Sequence, residues 1–282
     1  MRGRSITFEV FPLSFSEFLS FKNIIYNKYS SSSNAQVIHA FHEFLEWGGF
    51  PEVVMAEDAL KPMILREYVD LMLYRDLIER NKIRNKTVIR LLLKFCALHT
   101  GSLVSMNKLY KDFSSQGIKL GKNTLYEYLG MIEDAYIAFT CPKYDPSIRR
   151  KMQAPQKIHM LDTGLVRIYQ TSADKDLGHR FESLIYGHVR RSYRDICYYR
   201  NGFEIDMCWN DGSNFINTAW QMSNSDTVKR ETKALDGGKA MWPEADGKII
   251  YVKGNSIPQQ YGKHILEAWQ YLLGTQRNPE KN

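Results

Sequence analysis

The chain has 282 residues, of which 44% are hydrophobic, and this length fits about two folded domains. No apolar run reaches the roughly 20 residues that a membrane helix needs, and residues 1–15 lack the apolar core and cleavage site of a signal peptide. The four cysteines have no CxxC spacing, which indicates neither a disulfide framework nor a zinc site. These features predict a cytoplasmic protein that does not bind membranes.

The net charge of +7 is concentrated in the middle of the chain. Residues 60–160 contain 18 basic and nine acidic side chains, so this segment carries +9 and the remainder about −2. Such a charge distribution is typical of a surface that neutralises phosphates or meets an acidic partner.

The N-terminal part is predicted to be mainly helical. A strand over residues 5–10 and a helix over SFSEFLSF come first, and a serine-rich loop over residues 30–34 follows. The next helix, VIHAFHEFLEW, ends at Gly48 and Gly49. Longer helices are predicted over residues 58–80 and 85–99.

Residues 102–140 have the spacing of a helix-turn-helix followed by a strand. The first helix carries an apolar stripe, the turn spans residues 114–117, and the second helix begins after Gly121 with Asn123 or Thr124 as its cap. Four residues are predicted to face the first helix: Leu125, Tyr126, Leu129 and Ile132. The outer face is assigned to Lys119, Lys122, Asn123, Glu127 and Tyr128. A packing module of the same shape is the alternative to a DNA-reading helix.

Two strands, AYIAFTCP and QKIHMLD, follow the helix pair and flank a polar loop with three basic residues. A basic hairpin after a recognition-type helix is the pattern of a winged helix, whose wing lies along a phosphate backbone. The predicted DNA-binding residues are Lys119, Lys122, Asn123, Tyr126, Arg149, Arg150 and Lys151.

From residue 176 the pattern changes to α/β. A helix carries Glu182, a strand with two unlike faces carries Asp206, and the next strand carries Gln221. A helix over residues 226–236, the strand KIIYV and the helix HILEAWQYLL complete the chain. GIKLGKNT has one residue too few between its glycines for a phosphate-binding loop, so no ATP site is predicted.

This order of helix-Glu, strand-Asp and strand-(Glu/Gln)-x-Lys resembles the PD-(D/E)XK nuclease fold. The resemblance implies that Glu182 and Asp206 would hold Mg²⁺, with Gln221 completing the catalytic set. Ser223 stands at the lysine position, and Lys229 or Lys233 could substitute for the missing cation. A degenerate scaffold without a cofactor is therefore favoured over an active Mg²⁺-dependent nuclease.

The whole chain resembles the C-terminal half of prokaryotic AAA-type ATPases. The similarity lies in RGRSITFEVFPLSFSEFLSF, EWGGFPEVV, LMLYRDLIER, SMNKL, GKNTLYEYL, KIHMLDTGL and the helix-Glu/strand-Asp tail. It implies a mixed α+β fold with three parts: the tail of an ATPase domain with linking helices over 1–57, a helical winged-helix domain over 58–165, and a PD-(D/E)XK-like domain with a central mixed sheet over 166–282. The nucleotide-binding core of such proteins is absent from this sequence.

Three functional hypotheses follow. The first is a non-catalytic effector region that binds DNA or a partner protein through the winged helix. The second is the Mg²⁺-dependent nuclease. The third is a protein-interaction module whose aromatic N-terminal face docks an ATPase core or a second copy of the chain.

Overall fold

The computed structural model describes residues 9–27, 30–170, 177–254 and 259–274. These residues form a three-stranded antiparallel sheet, a five-stranded mixed sheet and helices around both. The predicted mixed α+β fold class is confirmed. The predicted strand over residues 5–10 and the RGR segment before it fall largely outside the described ranges.

The helices are α1 Phe15–Phe21, α2 Ser31–Trp47, α3 Pro51–Met55, α4 Lys61–Leu71, α5 Lys86–Leu98, α6 Met106–Ser115, α7 Lys122–Asp134, α8 Ile148–Gln153, α9 Thr163–Tyr169, α10 Leu177–Arg190, α11 Ser225–Met241 and α12 Ala268–Gly274. A π-helical segment, Met72–Glu79, continues α4, and a 3-10 helix spans Gln259–His264. The strands are β1 Leu103–Val104, β2 Ala138–Cys141, β3 Gln156–Met160, β4 Cys197–Arg200, β5 Glu204–Trp209, β6 Asn214–Gln221, β7 Asp246–Lys253 and β8 Ile265–Glu267. No described helix has the length and apolar character needed to cross a bilayer.

The serine-rich segment is helical rather than a loop. Ser30 caps α2, and its hydroxyl accepts a hydrogen bond from the Ser33 amide at 3.3 Å. Serine is a strong N-cap, so the same composition that suggests a flexible linker here starts a helix. The aromatic faces of α1 and α2 then share a core with α10 and the five-stranded sheet, where the Phe41 and Phe181 rings meet edge to face.

The segment for which the sequence predicts a winged helix contains α5, β1, α6, α7, β2 and β3 in chain order, and β3 lies between β1 and β2 in its sheet. Two details differ from the prediction. Tyr126 is 42% exposed and Tyr128 only 7%, because Tyr128 packs with Leu125 and Leu129 on the inner face. Gly121 rather than Asn123 or Thr124 occupies the N-cap of α7, which has no side-chain cap.

The wing differs from the predicted plain hairpin. Helix α8 forms within the polar loop, and the segment before it pairs with β4 of the C-terminal domain. The Tyr144 amide donates to the Tyr198 carbonyl at 2.6 Å, and the Tyr198 amide donates to the Pro142 carbonyl at 3.0 Å. The wing is therefore anchored to the neighbouring domain by strand-like backbone hydrogen bonds.

The C-terminal sheet has the order β4-β5-β6-β7-β8, with antiparallel pairing up to β6 and parallel pairing beyond it. Helix α10 packs on β6, and α11 crosses from β6 to β7 as the connection between parallel strands. The predicted C-terminal helix is wrong over Ile265–Glu267, which pair with β7 as an edge strand. Backbone pairing to an existing sheet edge outweighs the helical spacing of these three residues.

A buried turn joins the N-terminal helices to the winged-helix domain. Asp162 accepts hydrogen bonds from the Gly49 amide at 2.7 Å and the Gly164 amide at 2.8 Å. Gly48 has φ +77°, and a Cβ at this position would overlap the Asp162 carboxylate. The turn therefore requires glycine for both backbone and steric reasons.

We predict that Gly48→Ala destabilises the protein by about 2–4 kcal/mol, the sum of left-handed strain and overpacking. Gly117→Ala is the matched control, since Gly117 has φ +76° but open space around its Cβ position. It should cost only about 1 kcal/mol. Urea unfolding of the two variants measures the difference, and equal losses would contradict the steric role of Asp162.

Candidate functional site

The candidate site lies between β3 of the three-stranded sheet and the elements α10 and β5. Glu182 comes from α10 and Asp206 from β5, and the fold brings both to the same ammonium group, that of Lys157 on β3. The Lys157 Nζ lies 2.8 Å from Glu182 Oε1 and 2.9 Å from Asp206 Oδ1. A third carboxylate oxygen, Glu204 Oε1, lies 3.1 Å away. Lys157 is therefore the cation that pairs with the two carboxylates singled out in the sequence.

Lys157 was not among the predicted site residues. Its side chain is only 3% exposed, and its ammonium also approaches the face of the Tyr198 ring, 5.9 Å from the centroid. The signal in the sequence was a charged residue within a short strand, QKIHM, whose Ile158 and Met160 suit a core. A buried lysine requires anionic partners, but the strand gives no information on which carboxylates meet it.

Asp206 is held by both domains. One carboxylate oxygen contacts Lys157, and the other accepts hydrogen bonds from the Thr218 amide at 2.8 Å and the Thr218 hydroxyl at 2.9 Å. Burial by itself would raise the pKa of Asp206, but Lys157 and the two Thr218 donors outweigh it and lower the pKa. Asp206 is therefore an ionised carboxylate at neutral pH.

For Glu182, burial outweighs the effect of Lys157 on the pKa. Burial, assisted by the nearby charge of Asp206, raises the pKa of Glu182 to about 8, although Lys157 opposes the rise. One ammonium is shared among three carboxylates, so the most deeply desolvated of them holds a proton most readily. Burial also raises the pKa of Glu231, which lines the same cavity.

A chain of buried polar groups extends from Glu182 into the winged helix. The His159 Nε2 lies 4.0 Å from Glu182 Oε1, and its Nδ1 lies 3.1 Å from the Ser183 hydroxyl. Ser183 in turn contacts the Thr100 hydroxyl at 2.7 Å. Burial and the charge of Lys157 lower the pKa of His159, so its ring is neutral. Its Nε2 finds no hydrogen-bond partner among the described residues.

A cavity of about 600 Å³ opens beside the carboxylates. Its walls include Glu182, Asp206 and Gln221, together with Lys233, one of the two predicted lysine substitutes. Gln221 and Ser223 are exposed, and the ammonium that contacts Glu182 and Asp206 is that of Lys157. The predicted catalytic trio thus borders one cavity.

The donor set does not fit a resident Mg²⁺ ion. Magnesium requires oxygen ligands at about 2.1 Å in an octahedron, whereas Lys157 stands between the two carboxylates that would supply them. Within the described ranges, no group of three or more His, Cys, Asp or Glu side chains could hold a metal ion. No catalytic step through a metal follows from this arrangement.

The predicted DNA-binding residues lie apart from this cluster, on the surface of the winged helix. Lys119, Lys122, Asn123 and Tyr126 are exposed around the start of α7. In the wing, Arg149 is exposed, Lys151 is half-buried, and Arg150 is bound to Asp145, with 2.9 Å between Nε and Oδ1. Two of the three basic wing residues are thus partly occupied by contacts within the protein.

Comparison with known proteins finds relatives of this chain, but none of them has a described activity. A family model described as a domain of unknown function, DUF8612, matches residues 38–176. The chain is similar to the uncharacterised protein MJ1544 of Methanocaldococcus jannaschii, with 30% identity over 244 residues, 84% of this chain and 54% of that protein. An uncharacterised protein of Haemophilus influenzae is 27% identical over 194 residues, 68% of this chain and 47% of that protein. The chain thus spans about half the length of these curated relatives, and no solved structure matches it.

We predict that Lys157→Met destabilises the protein by about 3–5 kcal/mol, because removing one partner of a buried ionic cluster leaves the remaining charges uncompensated. Adding Asp206→Asn should restore part of this loss, because Asp206 is the ionised carboxylate that loses its cation. Urea unfolding measures both effects, with Lys229→Met on exposed α11 as the control for the Lys-to-Met change. A loss in Lys157→Met no larger than in the control would contradict the ionic role of Lys157.

The raised pKa of Glu182 predicts a pH dependence. Because the folded protein binds this proton more tightly than the unfolded chain, the stability from this group is full below about pH 4.5 and is lost as pH rises through about 8. The free energy of unfolding of Glu182→Gln should therefore fall less than that of the wild type between pH 5 and 8. Glu127→Gln on exposed α7 is the control, and parallel pH profiles for wild type and Glu182→Gln would refute the assignment.

Proposed function

We propose that this chain is a DNA-binding region that works alongside an AAA-type ATPase core, with α7 as the contact helix and the C-terminal domain as a non-catalytic scaffold. Support for the DNA contact comes from the start of α7. Lys119, Lys122, Asn123 and Tyr126 are exposed there, while the inner face of the helix is buried against α5 and α6. Exposed Lys, Asn and Tyr side chains on the first turns of a second helix suit phosphates and base edges.

The observation that carries the proposal is that the N-terminus of α7 lacks the groups that normally stabilise the start of a helix. Gly121 provides no side-chain cap, the first turn contains no acidic residue, and Lys122 occupies the first helical position. A cation at the positive end of the helix dipole is unfavourable, and amide groups without a cap need an acceptor. A phosphate bound at this end would satisfy the amides and pair with Lys122 and Lys119.

In this proposal the segment around α8 also faces the DNA, but it is held in place by the neighbouring strand. Because Tyr144 and Pro142 are hydrogen bonded to Tyr198, α8 is held at a fixed position rather than at the tip of a free hairpin. Arg149 and Arg150 are both exposed, but Arg150 is bound to Asp145. In this proposal Arg149 contacts the backbone, and Arg150 and Lys151 contribute mainly to the local positive potential.

The C-terminal domain acts as a scaffold in this proposal. Lys157 neutralises the acidic cleft, and Ser223 stands where a nuclease strand carries lysine. The Mg²⁺-dependent nuclease is the competing hypothesis, and docking of an ATPase core or a second copy through the aromatic N-terminal region is the third. The proposal includes the cytoplasmic location that the sequence predicts.

We predict that the double variant Lys119→Ala/Lys122→Ala binds duplex DNA more weakly than the wild type. The slope of log affinity against log salt should become shallower by about 2, since each phosphate contact contributes about 0.9. Filter binding or fluorescence anisotropy of a labelled duplex over a salt series measures both quantities.

The matched control is Lys229→Ala/Lys233→Ala, which removes the same charge from exposed positions on α11. This control should leave the salt slope close to that of the wild type. If both double variants change the salt slope equally, binding depends on the net charge of the protein and not on the start of α7. Absence of wild-type binding at low salt would eliminate the DNA proposal.

A further inference from the structure

We propose that the Lys157 ammonium prevents divalent metal ions from binding between Glu182 and Asp206. Because Lys157 lies on β3, the exclusion of metal ions depends on the position of that strand. This inference goes beyond DNA binding, because it concerns the state of a second site. The nuclease-like elements bring together Glu182 and Asp206, and a lysine from another domain occupies the position between them.

The contact distances do not allow the Lys157 ammonium and a divalent metal ion to occupy the cleft at the same time. The Lys157 ammonium is within 3.1 Å of oxygens from Glu182, Asp206 and Glu204. A divalent ion bound by the same oxygens would lie within contact distance of the ammonium, in a desolvated site where like charges repel strongly. Lys157 therefore has to leave before a metal ion can use both carboxylates.

Lys157 is not free to leave as a surface lysine is. It lies on the central strand β3, paired with Leu103 on one side and Cys141 on the other. Its side chain is 3% exposed and is covered by the Tyr198 ring, whose hydroxyl is fixed to the Pro155 carbonyl at 2.6 Å. Opening the cleft requires either a new buried position for the ammonium or movement of the strand itself.

A second observation indicates that the pocket is suited to a cation other than lysine. The His159 Nε2 is fully buried, has no hydrogen-bond partner among the described residues and lies 4.0 Å from Glu182 Oε1. The ring is oriented by the Ser183 contact at Nδ1. In the tautomer whose Nδ1–H donates to Ser183, this nitrogen carries a lone pair beside the Glu182 carboxylate, and imidazole nitrogen is a ligand that Mn²⁺ or Zn²⁺ accepts.

Removal of the lysine side-chain charge should therefore let Glu182 and Asp206 share a divalent ion, with solvent completing its coordination, because the described residues offer no preformed group of three protein ligands. The two carboxylate oxygens are 2.8 and 2.9 Å from the ammonium, and metal–oxygen bonds of about 2.1 Å require each to move inward by less than about 1 Å. The acidic charge that remains favours a divalent cation. The exclusion of metal ions is thus a property of Lys157 and not of the carboxylates.

The test is Mn²⁺ binding to the full chain, measured by the loss of the free-ion electron paramagnetic resonance signal. Wild type and Lys157→Arg should show no saturable site. Lys157→Met should bind one Mn²⁺ at least about tenfold more tightly than the wild type. Lys157→Met/Asp206→Asn should lose this site again, which assigns it to the cleft.

Two results would overturn the proposal. One is a wild-type Mn²⁺ site, or Mg²⁺-dependent plasmid cleavage, that disappears in Asp206→Asn. The other is a folded Lys157→Met protein, judged by near-ultraviolet circular dichroism, that binds Mn²⁺ no more tightly than the wild type. Both results are independent of whether the wild type binds duplex DNA through α7.

A measurement on the wild type decides the matter if Lys157→Met does not fold. Acetic anhydride labelling followed by mass spectrometry should leave Lys157 unmodified while exposed Lys119 and Lys229 react. Protection that persists in excess Mn²⁺ supports the exclusion of metal ions. Labelling of Lys157 at the rate of the exposed lysines, or labelling induced by Mn²⁺, would show that the ammonium is displaceable and would refute it.

Discussion

The ionic cluster around Lys157 is the interaction on which the relation between the two halves of the molecule depends. A single ammonium from the winged-helix sheet meets carboxylates from α10 and β5, and all of them are at least partly removed from water. Neither half can separate without leaving buried charges uncompensated, which costs several kcal/mol per ion. Glu9 adds a second link between the halves, since it accepts hydrogen bonds from Tyr136 at 2.6 Å and Arg190 at 3.1 Å.

This coupling ties the two sheets together through charged side chains. Helix α10 and strand β5 bring Glu182 and Asp206 to one point, and the cation between them comes from β3 of the other sheet. The wing is likewise hydrogen bonded to β4 instead of projecting freely. The three-stranded sheet and the acidic cleft are therefore joined by both ionic and backbone contacts, whereas Lys122 and Asn123 at the start of α7 are exposed.

Much of the fold was predictable because it follows from local patterns. The apolar spacing of α6, α7 and α10 and the alternation in β5 identify these elements, and the order of Glu182, Asp206 and Gln221 indicates the cleft. The predictions that were wrong concern a helix cap, the two faces of a helix and a sheet edge. Ser30 caps a helix where a loop was predicted, Tyr126 and Tyr128 exchange their expected faces, and Ile265–Glu267 join a sheet edge.

The sequence by itself determined the fold class and the basic middle segment, because each of these depends on composition or on short-range spacing, whereas the two carboxylates were singled out by the resemblance to the nuclease fold. Only the tertiary structure placed Lys157 between Glu182 and Asp206, which are 25 and 49 residues away along the chain. The same holds for Asp162 at Gly49 and for the wing at Tyr198. Long-range partners of a charge are set by how domains pack, and no periodicity within one element contains that information.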